Sequence, residues 1–292
     1  RSCLSNPCLF RPVSRYLLAL LALAFPLAVW SQPTSTNGVN EVAELAIGDT
    51  FLLKSEVLGE ARRVNVYAPA SYHASDTLRL PVLYMPDGGI GEDFLHIAGL
   101  VQISSLNGTM RPHLLVGIEN TERRRDLTGP TTVASDRDIA PRVGGSAAFR
   151  AFLRDELMPV IEASYRTTGE TALVGESLAG LFVVETLLRT PDLFDTYIAI
   201  DPSLWWDEER LANEAVEMLT NAVDLDATLY LAASGQPELA ALTQRVASAL
   251  AEAAPAGLTL HHRAWPEEYH WTVYHPAALA AFRTVFAPPS SD

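Results

Sequence analysis

The sequence predicts a single α/β domain built on a mainly parallel central sheet of about eight strands, with helices on both faces. Between residues 49 and 286, short apolar runs rich in β-forming residues alternate with longer runs that have helical spacing. Several of the short runs are apolar at consecutive positions, as in strands that are buried on both faces. The chain has 292 residues and is 48% hydrophobic, which is enough to form one large core.

The elements follow from these patterns in chain order. The first two strands flank Gly59 and are expected to pair antiparallel, whereas the later strands alternate with helices and are expected to be parallel. A polar loop is predicted from about 119 to 145. The predicted strands are 49–57, 62–68, 80–85, 114–118, 171–174, 196–200, 228–232 and 258–264. The predicted helices lie near 94–101, 149–161, 207–222, 237–254 and 276–286, with one more in the apolar stretch that follows Gly180.

The N-terminal segment has the layout of a secretory signal peptide. Basic residues precede an apolar run from Tyr16 to Trp30, and small and polar residues follow it. We expect a signal peptide over 1–31, a flexible leader over 32–45 and the single domain over 46–288. An uncleaved N-terminal anchor is the alternative, although the apolar run is short for a membrane span. The expected location is therefore periplasmic or secreted, with no stable membrane span after cleavage.

The charge of the chain excludes one class of partner. The formal net charge is −14, and the only dense basic run is Arg123 to Arg125. Because nucleic-acid binding requires clustered Lys and Arg, we expect no nucleic-acid partner. Both cysteines, Cys3 and Cys8, precede the first apolar run, so the body of the chain has neither a disulfide framework nor a thiolate metal site. We expect no metal and no cofactor, and no sequence feature specifies an oligomeric state.

A serine motif stands at the centre of the chain. Residues 173–181 read LVGESLAGL, in which an apolar strand stops at Gly175 and a helical pattern begins after Ser177. A sharp strand-to-helix turn around a serine, with small residues on both sides, is the pattern of a nucleophile elbow. The turn would expose the Ser177 hydroxyl and direct the Leu178 N–H at a developing oxyanion. A serine N-cap on an ordinary buried helix is the alternative reading.

A serine hydroxyl needs a base within hydrogen-bond reach, and in this arrangement the base is a histidine that follows the serine in the chain. His261 and His262 lie within a predicted strand, and His275 precedes a proline. His270 lies in a loop between the last strand and the last helix. We therefore predict that His270 is the base.

The base in turn needs a carboxylate that fixes its tautomer. Glu238 follows the strand before the histidine, and its place in this order favours it as the acid. Asp201 and Asp207, after the preceding strand, are competitors, and a Ser–His dyad without an acid is a further alternative.

The second oxyanion donor is expected in the loop after the strand 80–85. That loop reads Asp87-Gly88-Gly89, and glycine lets the backbone approach a ligand closely. We predict that the Gly89 N–H is the donor and that Asp87 and Gly88 line the substrate site. A simple tight turn is the alternative.

These stretches together resemble the putative-esterase family of α/β hydrolases, which includes siderophore esterases, S-formylglutathione hydrolase and the mycolyltransferase antigens. The resemblance is greatest to the siderophore-esterase-like branch and rests on MPDGG at 85–89, VGIENTERRRDLT at 116–128, GESLAGLF at 175–182, PDLFDTYIAIDPSLWW at 191–206, and His270. Two departures stand out: Asp201 occupies a position where many relatives have Ser, and Ala179 replaces Gly.

This resemblance implies an α/β-hydrolase fold and hydrolysis of a small carboxylic ester through a serine acyl-enzyme, without metal or cofactor. It places Ser177, His270 and Glu238 in the catalytic roles. It also implies that Asn120, Arg124 and Arg125 form part of the site wall, where one arginine holds an anionic or catecholate-like substrate or else forms a structural salt bridge to Asp126. Trp205 and Trp206 are candidates for aromatic walls of the cleft, with core packing as the alternative.

Two other functions are compatible with the same residues. Acyl transfer to an alcohol would use the same site, and a non-catalytic periplasmic member of the fold would only hold a ligand. No feature of the chain supports peptidase activity. The complete Ser, His and Glu set favours a serine esterase over a binding protein.

Overall fold

The predicted eight-stranded sheet is confirmed by a computed structural model that describes residues 43–222 and 225–289. The predicted signal peptide (1–31) and most of the leader (32–45) lie outside these residues. The described residues from Ala46 onward form one compact unit. The strands are β1 (Asp49–Ser55), β2 (Glu60–Tyr67), β3 (Leu80–Met85), β4 (Leu114–Ile118), β5 (Thr167–Glu176), β6 (Thr196–Ile200), β7 (Ala227–Ser234) and β8 (Leu258–Trp265).

The sheet has the order β1-β2-β4-β3-β5-β6-β7-β8. β1 and β2 pair antiparallel, as predicted, and β2 also runs antiparallel to β4. All remaining neighbours are parallel. The carboxyl ends of β3 to β8 therefore meet at one edge of the sheet, which is where ligands bind in such folds.

Helices cover both faces of the sheet. They are α1 (Ala70–His73), α2 (Phe94–Leu106), α3 (Arg123–Asp126), α4 (Ala134–Arg137), α5 (Ser146–Phe152), α6 (Met158–Ser164), α7 (Leu178–Arg189), α8 (Trp206–Thr220), α9 (Pro237–Ala253) and α10 (Tyr274–Val285). Among the described residues, no helix is long and apolar enough to span a membrane.

The core has two layers because strand side chains alternate between the faces. On β3, Val82 and Tyr84 join the layer that contains α5 to α9, whereas Leu83 and Met85 join the layer that contains α2 and α10. This alternation explains why the strands read as continuous apolar runs, since both faces are buried.

Two predicted helices differ in detail from the structure. The helix predicted over 149–161 is interrupted by a π-helical turn at Leu153–Leu157, which divides it into α5 and α6. The helix predicted from Asp207 begins with three residues in the left-handed region, at φ of 53°, 52° and 62° for Asp207, Glu208 and Glu209. A tertiary contact holds this turn, because the Asp207 N–H donates to Asp136 Oδ2 at 2.9 Å. A local ion pair between the Asp207 carboxylate and Arg210, at 2.6 Å, adds to it.

Candidate active site

The serine motif adopts the predicted sharp turn between β5 and α7. Ser177 has φ 61° and ψ −120°, which is a strained conformation for a residue with a side chain. The turn needs small neighbours. A Cβ on Gly175 would lie 2.7 Å from the Ala179 Cβ, and one on Gly180 would lie 3.0 Å from the Ile200 carbonyl oxygen. Ala179 is therefore accommodated where the elbow pattern has Gly, because Gly175 leaves room for its methyl group.

The structure brings Ser177 and His270 together, although 93 positions separate them in the chain. Ser177 lies at the carboxyl end of β5, and His270 lies in the loop between β8 and α10. The distance from His270 Nε2 to Ser177 Oγ is 2.9 Å. This geometry lets the imidazole accept the hydroxyl proton.

The carboxylate at His270 is Asp201 and not Glu238. Asp201 directly follows β6, and its Oδ2 lies 2.7 Å from His270 Nδ1. The other oxygen, Oδ1, accepts a hydrogen bond from the Ser234 N–H at 2.8 Å. Asp201 is 0% exposed, so its carboxylate is fixed in one orientation. Its hydrogen bond to His270 is the leading cause of a raised pKa of that imidazole.

Glu238 takes a different position from the one expected. It lies in the first turn of α9 and is exposed, and no hydrogen bond or ion pair joins it to another described residue. A carboxylate at a helix N-terminus is favoured by the helix dipole, which accounts for Glu there. The expectation that Glu238 orients His270 is therefore corrected in favour of Asp201, the first of the two competitors.

The two expected oxyanion donors differ in their availability. Leu178 is the first residue of α7, so its N–H has no acceptor in the preceding helical turn. The Gly89 N–H instead donates to Glu92 Oε2 at 2.7 Å. Glu92 is itself held, because Asn120 Nδ2 donates to its Oε1 at 2.9 Å. A substrate that uses the Gly89 N–H must therefore displace the Glu92 carboxylate.

The residues predicted to line the substrate site beside Gly89 form a closed polar network. Asp87 is buried, at φ 56°, and accepts from Arg123 Nε and Asn120 Nδ2, each at 2.6 Å. Arg123 Nη2 also donates to Asp87 Oδ2 at 2.8 Å. Gly88 contacts the sheet so closely that a Cβ would lie 2.2 Å from the Ile118 nitrogen. Asp87, Gly88 and Asn120 thus fix the loop after β3.

The three consecutive arginines have different environments. Arg123 pairs with Asp87, and Arg125 pairs with Glu60 at 2.7 Å and with Asp126 at 2.6 Å. Arg125 therefore has the structural role that the sequence left open. Arg124 is exposed and donates to the Ile139 carbonyl at 2.7 Å, and in the described part of the chain it has no carboxylate within 4 Å. All three line a cavity of about 450 Å³.

The adjacent residues Trp205 and Trp206 also have different environments. Trp206 is 2% exposed and donates from Nε1 to the Gly129 carbonyl at 3.0 Å, so it belongs to the core. Trp205 is 40% exposed and remains a candidate for a cleft wall. Tyr269 and Trp271, which flank His270, are also exposed, and their rings stack 5.2 Å apart.

Four residues at this edge of the sheet were not predicted as site residues from the sequence. Arg123 and Glu92 hold the loop after β3, and Ser203 Oγ lies 3.5 Å from Ser177 Oγ. Glu176, beside the serine, has its Oε1 3.7 Å from His270 Nδ1. One signal pointed to a missed role, because Glu176 lies inside the serine motif. Across residues 43–222 and 225–289, no three His, Cys, Asp or Glu side chains are arranged to hold a metal ion.

Comparison with known proteins identifies the family of the chain. A family model described as Putative esterase matches residues 55–275. The ferri-bacillibactin esterase BesA of Bacillus subtilis is 38% identical over 110 residues, which cover 33% of this chain and 38% of that protein. The siderophore triacetylfusarinine C esterase of Aspergillus fumigatus is 29% identical over 184 residues, which cover 57% of this chain and 59% of that protein. The alignments therefore span less than two thirds of either relative.

A solved structure covers more of the chain. An IroE-like serine hydrolase from Shewanella oneidensis is 31% identical, with a TM-score of 0.75, and the match covers 82% of this chain and 80% of that one. The BES protein from Bacillus cereus, at 20% identity and a TM-score of 0.74, shares the fold over 88% of this chain and 100% of that one. The fold is thus an α/β-hydrolase fold, and the chain belongs to the Putative esterase family, in the branch that contains the siderophore esterases.

Proposed function

We propose that this protein is a serine carboxylic-ester hydrolase that acts through an acyl-enzyme. The observation that carries the proposal is a pair of hydrogen bonds made by His270. Its Nε2 lies 2.9 Å from Ser177 Oγ, and its Nδ1 lies 2.7 Å from Asp201 Oδ2. A nucleophile, a base and an orienting carboxylate in contact are the three groups that acyl transfer from an ester requires. Membership of an esterase family supports the same reaction class.

The first half of the reaction forms the acyl-enzyme. His270 Nδ1–H donates to Asp201, which leaves Nε2 as the acceptor of the Ser177 proton. As Oγ bonds to the ester carbonyl carbon, the carbonyl π pair moves onto oxygen and the proton passes to Nε2. The oxyanion is stabilised by the Leu178 N–H, and by the Gly89 N–H once Glu92 has turned away. When the oxyanion collapses, the alcohol leaves with the proton from Nε2.

The second half repeats these steps with water. Nε2 takes a proton from water as its oxygen bonds to the acyl carbon, and the second tetrahedral intermediate collapses with release of the acid. The proton returns to Ser177 Oγ, which restores the enzyme. Each proton transfer uses the same Nε2 position, so one imidazole serves both half-reactions.

Covalent trapping tests the nucleophile directly. We expect a fluorophosphonate ester to inactivate the protein with one equivalent bound, and peptide mass spectrometry to place the adduct on Ser177, because its hydroxyl is hydrogen-bonded to His270 Nε2. The His270→Gln variant is the control and should label far more slowly. Labelling at another residue, or equal labelling of the control, would contradict the proposed mechanism.

We further propose that the substrates are siderophore-type esters. The named activities of the relatives support this substrate class. Arg123, which holds the loop after β3 through Asp87, also lines the cavity of about 450 Å³, so that cavity adjoins the loop that carries the Gly89 N–H. Arg124 is the arginine in that cavity without a carboxylate partner among the described residues, so its charge is available to an anionic catecholate.

Substitution of Arg124 separates this substrate class from simple esters. For Arg124→Gln we expect kcat/KM to fall up to about fivefold with an anionic catecholate trilactone, since an exposed charge pair contributes up to about 1 kcal/mol. A neutral short-chain ester should change less than twofold. The matched control is Arg137→Gln, because Arg137 is also exposed and donates to a backbone carbonyl. Equal losses with both substrates, or in both variants, would refute the role of Arg124.

We also propose that the protein is exported, to the periplasm or out of the cell. The support is the sequence pattern of residues 1–31, which lie outside the described residues. Mass spectrometry of the mature protein from its native host should give an N-terminus near residue 32. A mature protein that retains the apolar run would contradict signal cleavage.

A further inference from the structure

A second carboxylate faces the imidazole that Asp201 holds. Glu176 is the last residue of β5 and directly precedes Ser177. Its Oε1 lies 3.7 Å from His270 Nδ1, whereas Asp201 Oδ2 lies at 2.7 Å. The Glu176 side chain is 17% exposed, and no hydrogen bond joins it to another residue of the described chain. A largely buried carboxylate without such a bond costs stability, so its presence here requires a compensating interaction.

The charges around Glu176 show where that compensation comes from. Arg123 on α3 lies near it but already forms two hydrogen bonds to Asp87. Asp93, just before α2, and Asp201, after β6, are like charges and oppose its ionisation. Tyr274 on α10 faces the same carboxylates. When its imidazole is protonated, His270 thus supplies a positive charge within 4 Å of the Glu176 carboxylate. Asp201 is the other carboxylate that contacts this imidazole.

The titration of both groups agrees with this pairing. Burial raises the pKa of Glu176 to about 7, while the nearby His270 and Arg123 oppose that rise. The pKa of His270 is raised by its hydrogen bond to Asp201 and also by the negative charge of Glu176. The charges of the two groups are therefore coupled, since each shifts the pKa of the other.

We propose that Glu176 is a positioning residue for His270, whose carboxylate stabilises the imidazolium together with Asp201 while the Ser177 proton resides on Nε2. This inference rests on the proposed function. Glu176 takes no proton from the reaction, because Nδ1–H remains directed at Asp201 throughout. Glu176 stabilises the protonated imidazole, which exists only between the uptake of a proton by Nε2 and its release.

The sign of the pH effect follows from the charge. His270 must be neutral to accept the Ser177 proton, so activity is lost as the pH falls through the pKa of His270. A negative Glu176 raises that pKa and moves the acid limb of the profile upward. Its removal should lower the pKa of the acid limb. The same removal should slow the reaction on the plateau, because the imidazolium loses one of its two carboxylates.

The isosteric Glu176→Gln substitution tests the proposal. In the pH profile of kcat/KM for a neutral ester, we expect the acid limb to move down by about one pH unit and the plateau to fall about tenfold, since one pKa unit corresponds to a factor of ten. Glu267→Gln, which removes an exposed carboxylate from the loop that carries His270, should leave the limb in place. A limb that stays in place in Glu176→Gln, or moves equally in both variants, would overturn the inference.

A second measurement does not depend on activity. The pKa of His270, followed by NMR of its imidazole and assigned with the His270→Gln variant, should fall in Glu176→Gln and remain raised in Glu176→Asp. An unchanged pKa would overturn the inference even if the plateau rate fell. If Glu176→Gln leaves the pKa of His270 unchanged while Ser177→Ala abolishes hydrolysis, only the role of Glu176 is refuted. If Ser177→Ala retains hydrolysis, the proposed function itself is refuted.

Discussion

Replacing Ser177 by Ala is expected to lower kcat for ester hydrolysis by roughly 10⁶-fold, because removal of the nucleophile disables the whole catalytic unit. The substitution deletes the atom that lies 2.9 Å from His270 Nε2 and leaves no hydroxyl in the same place. The fold should be retained, because the backbone hydrogen bonds of the turn do not involve the Ser177 side chain. These bonds run from the Ser177 N–H to the Ile200 carbonyl and from the Leu181 N–H to the Ser177 carbonyl.

Ser203 provides the matched control for this experiment. Its Oγ lies 3.5 Å from Ser177 Oγ, and its side chain is also largely buried. For Ser203→Ala we expect kcat to fall by less than about tenfold, since a neutral hydrogen bond contributes about 1 kcal/mol. Substantial hydrolysis by Ser177→Ala, with melting temperature and circular dichroism unchanged, would show that another group performs the reaction.

Asp201→Asn is expected to lower kcat by roughly 10⁴-fold, whereas Glu238→Gln should change it by less than twofold. The reason is the direction of the new amide. Because the Ser234 N–H donates to Oδ1, the Asn oxygen will occupy that position and the NH₂ group will face His270 Nδ1. An amide that donates to Nδ1 places the imidazole proton on Nε2, and Nε2 then cannot accept the Ser177 proton.

Kinetics of the two variants with one neutral ester would decide between the carboxylates. The assignment of Asp201 fails if Asp201→Asn retains wild-type kcat or if Glu238→Gln loses activity to the same extent. A double-mutant cycle with Glu176→Gln adds information about the second carboxylate. We expect Glu176→Gln to have a larger effect in the Asp201→Asn background, because the imidazolium then depends on Glu176 alone.

Much of the fold was predictable because its signals are local. Strands buried on both faces appear as short apolar runs, and β3, β4 and β6 were predicted with the bounds that the structure has. The elbow was also predictable, since its pattern of small residues is local: Gly175 is required by contact with Ala179 inside the turn, and Gly180 by the close approach of β6. The helix interruptions at Leu153–Leu157 and at Asp207 were missed, and the turn at Asp207 depends on contacts with Asp136 and Arg210.

The position of the base could be inferred, but the acid could not. The loop after β7 does approach the loop that carries His270, because the Gly235 N–H donates to the Glu268 carbonyl at 2.7 Å. Element order therefore predicted correctly that the loop after β7 and the loop after β8 lie side by side. It could not show that Glu238 lies on an exposed helical turn, while β6, the strand next to β5, presents Asp201 to the imidazole.

The sequence by itself determined the alternating sheet, the strained serine turn, and the family to which the chain belongs, because these depend on neighbouring residues and on motif order. Only the tertiary structure decided which carboxylate holds His270, that Glu176 faces the same imidazole, and that Glu92 occupies the Gly89 N–H. These outcomes depend on the directions of side chains from five separate segments that meet at one sheet edge. Contact at that edge is decided by ångström-scale distances, and spacing along the chain does not encode them.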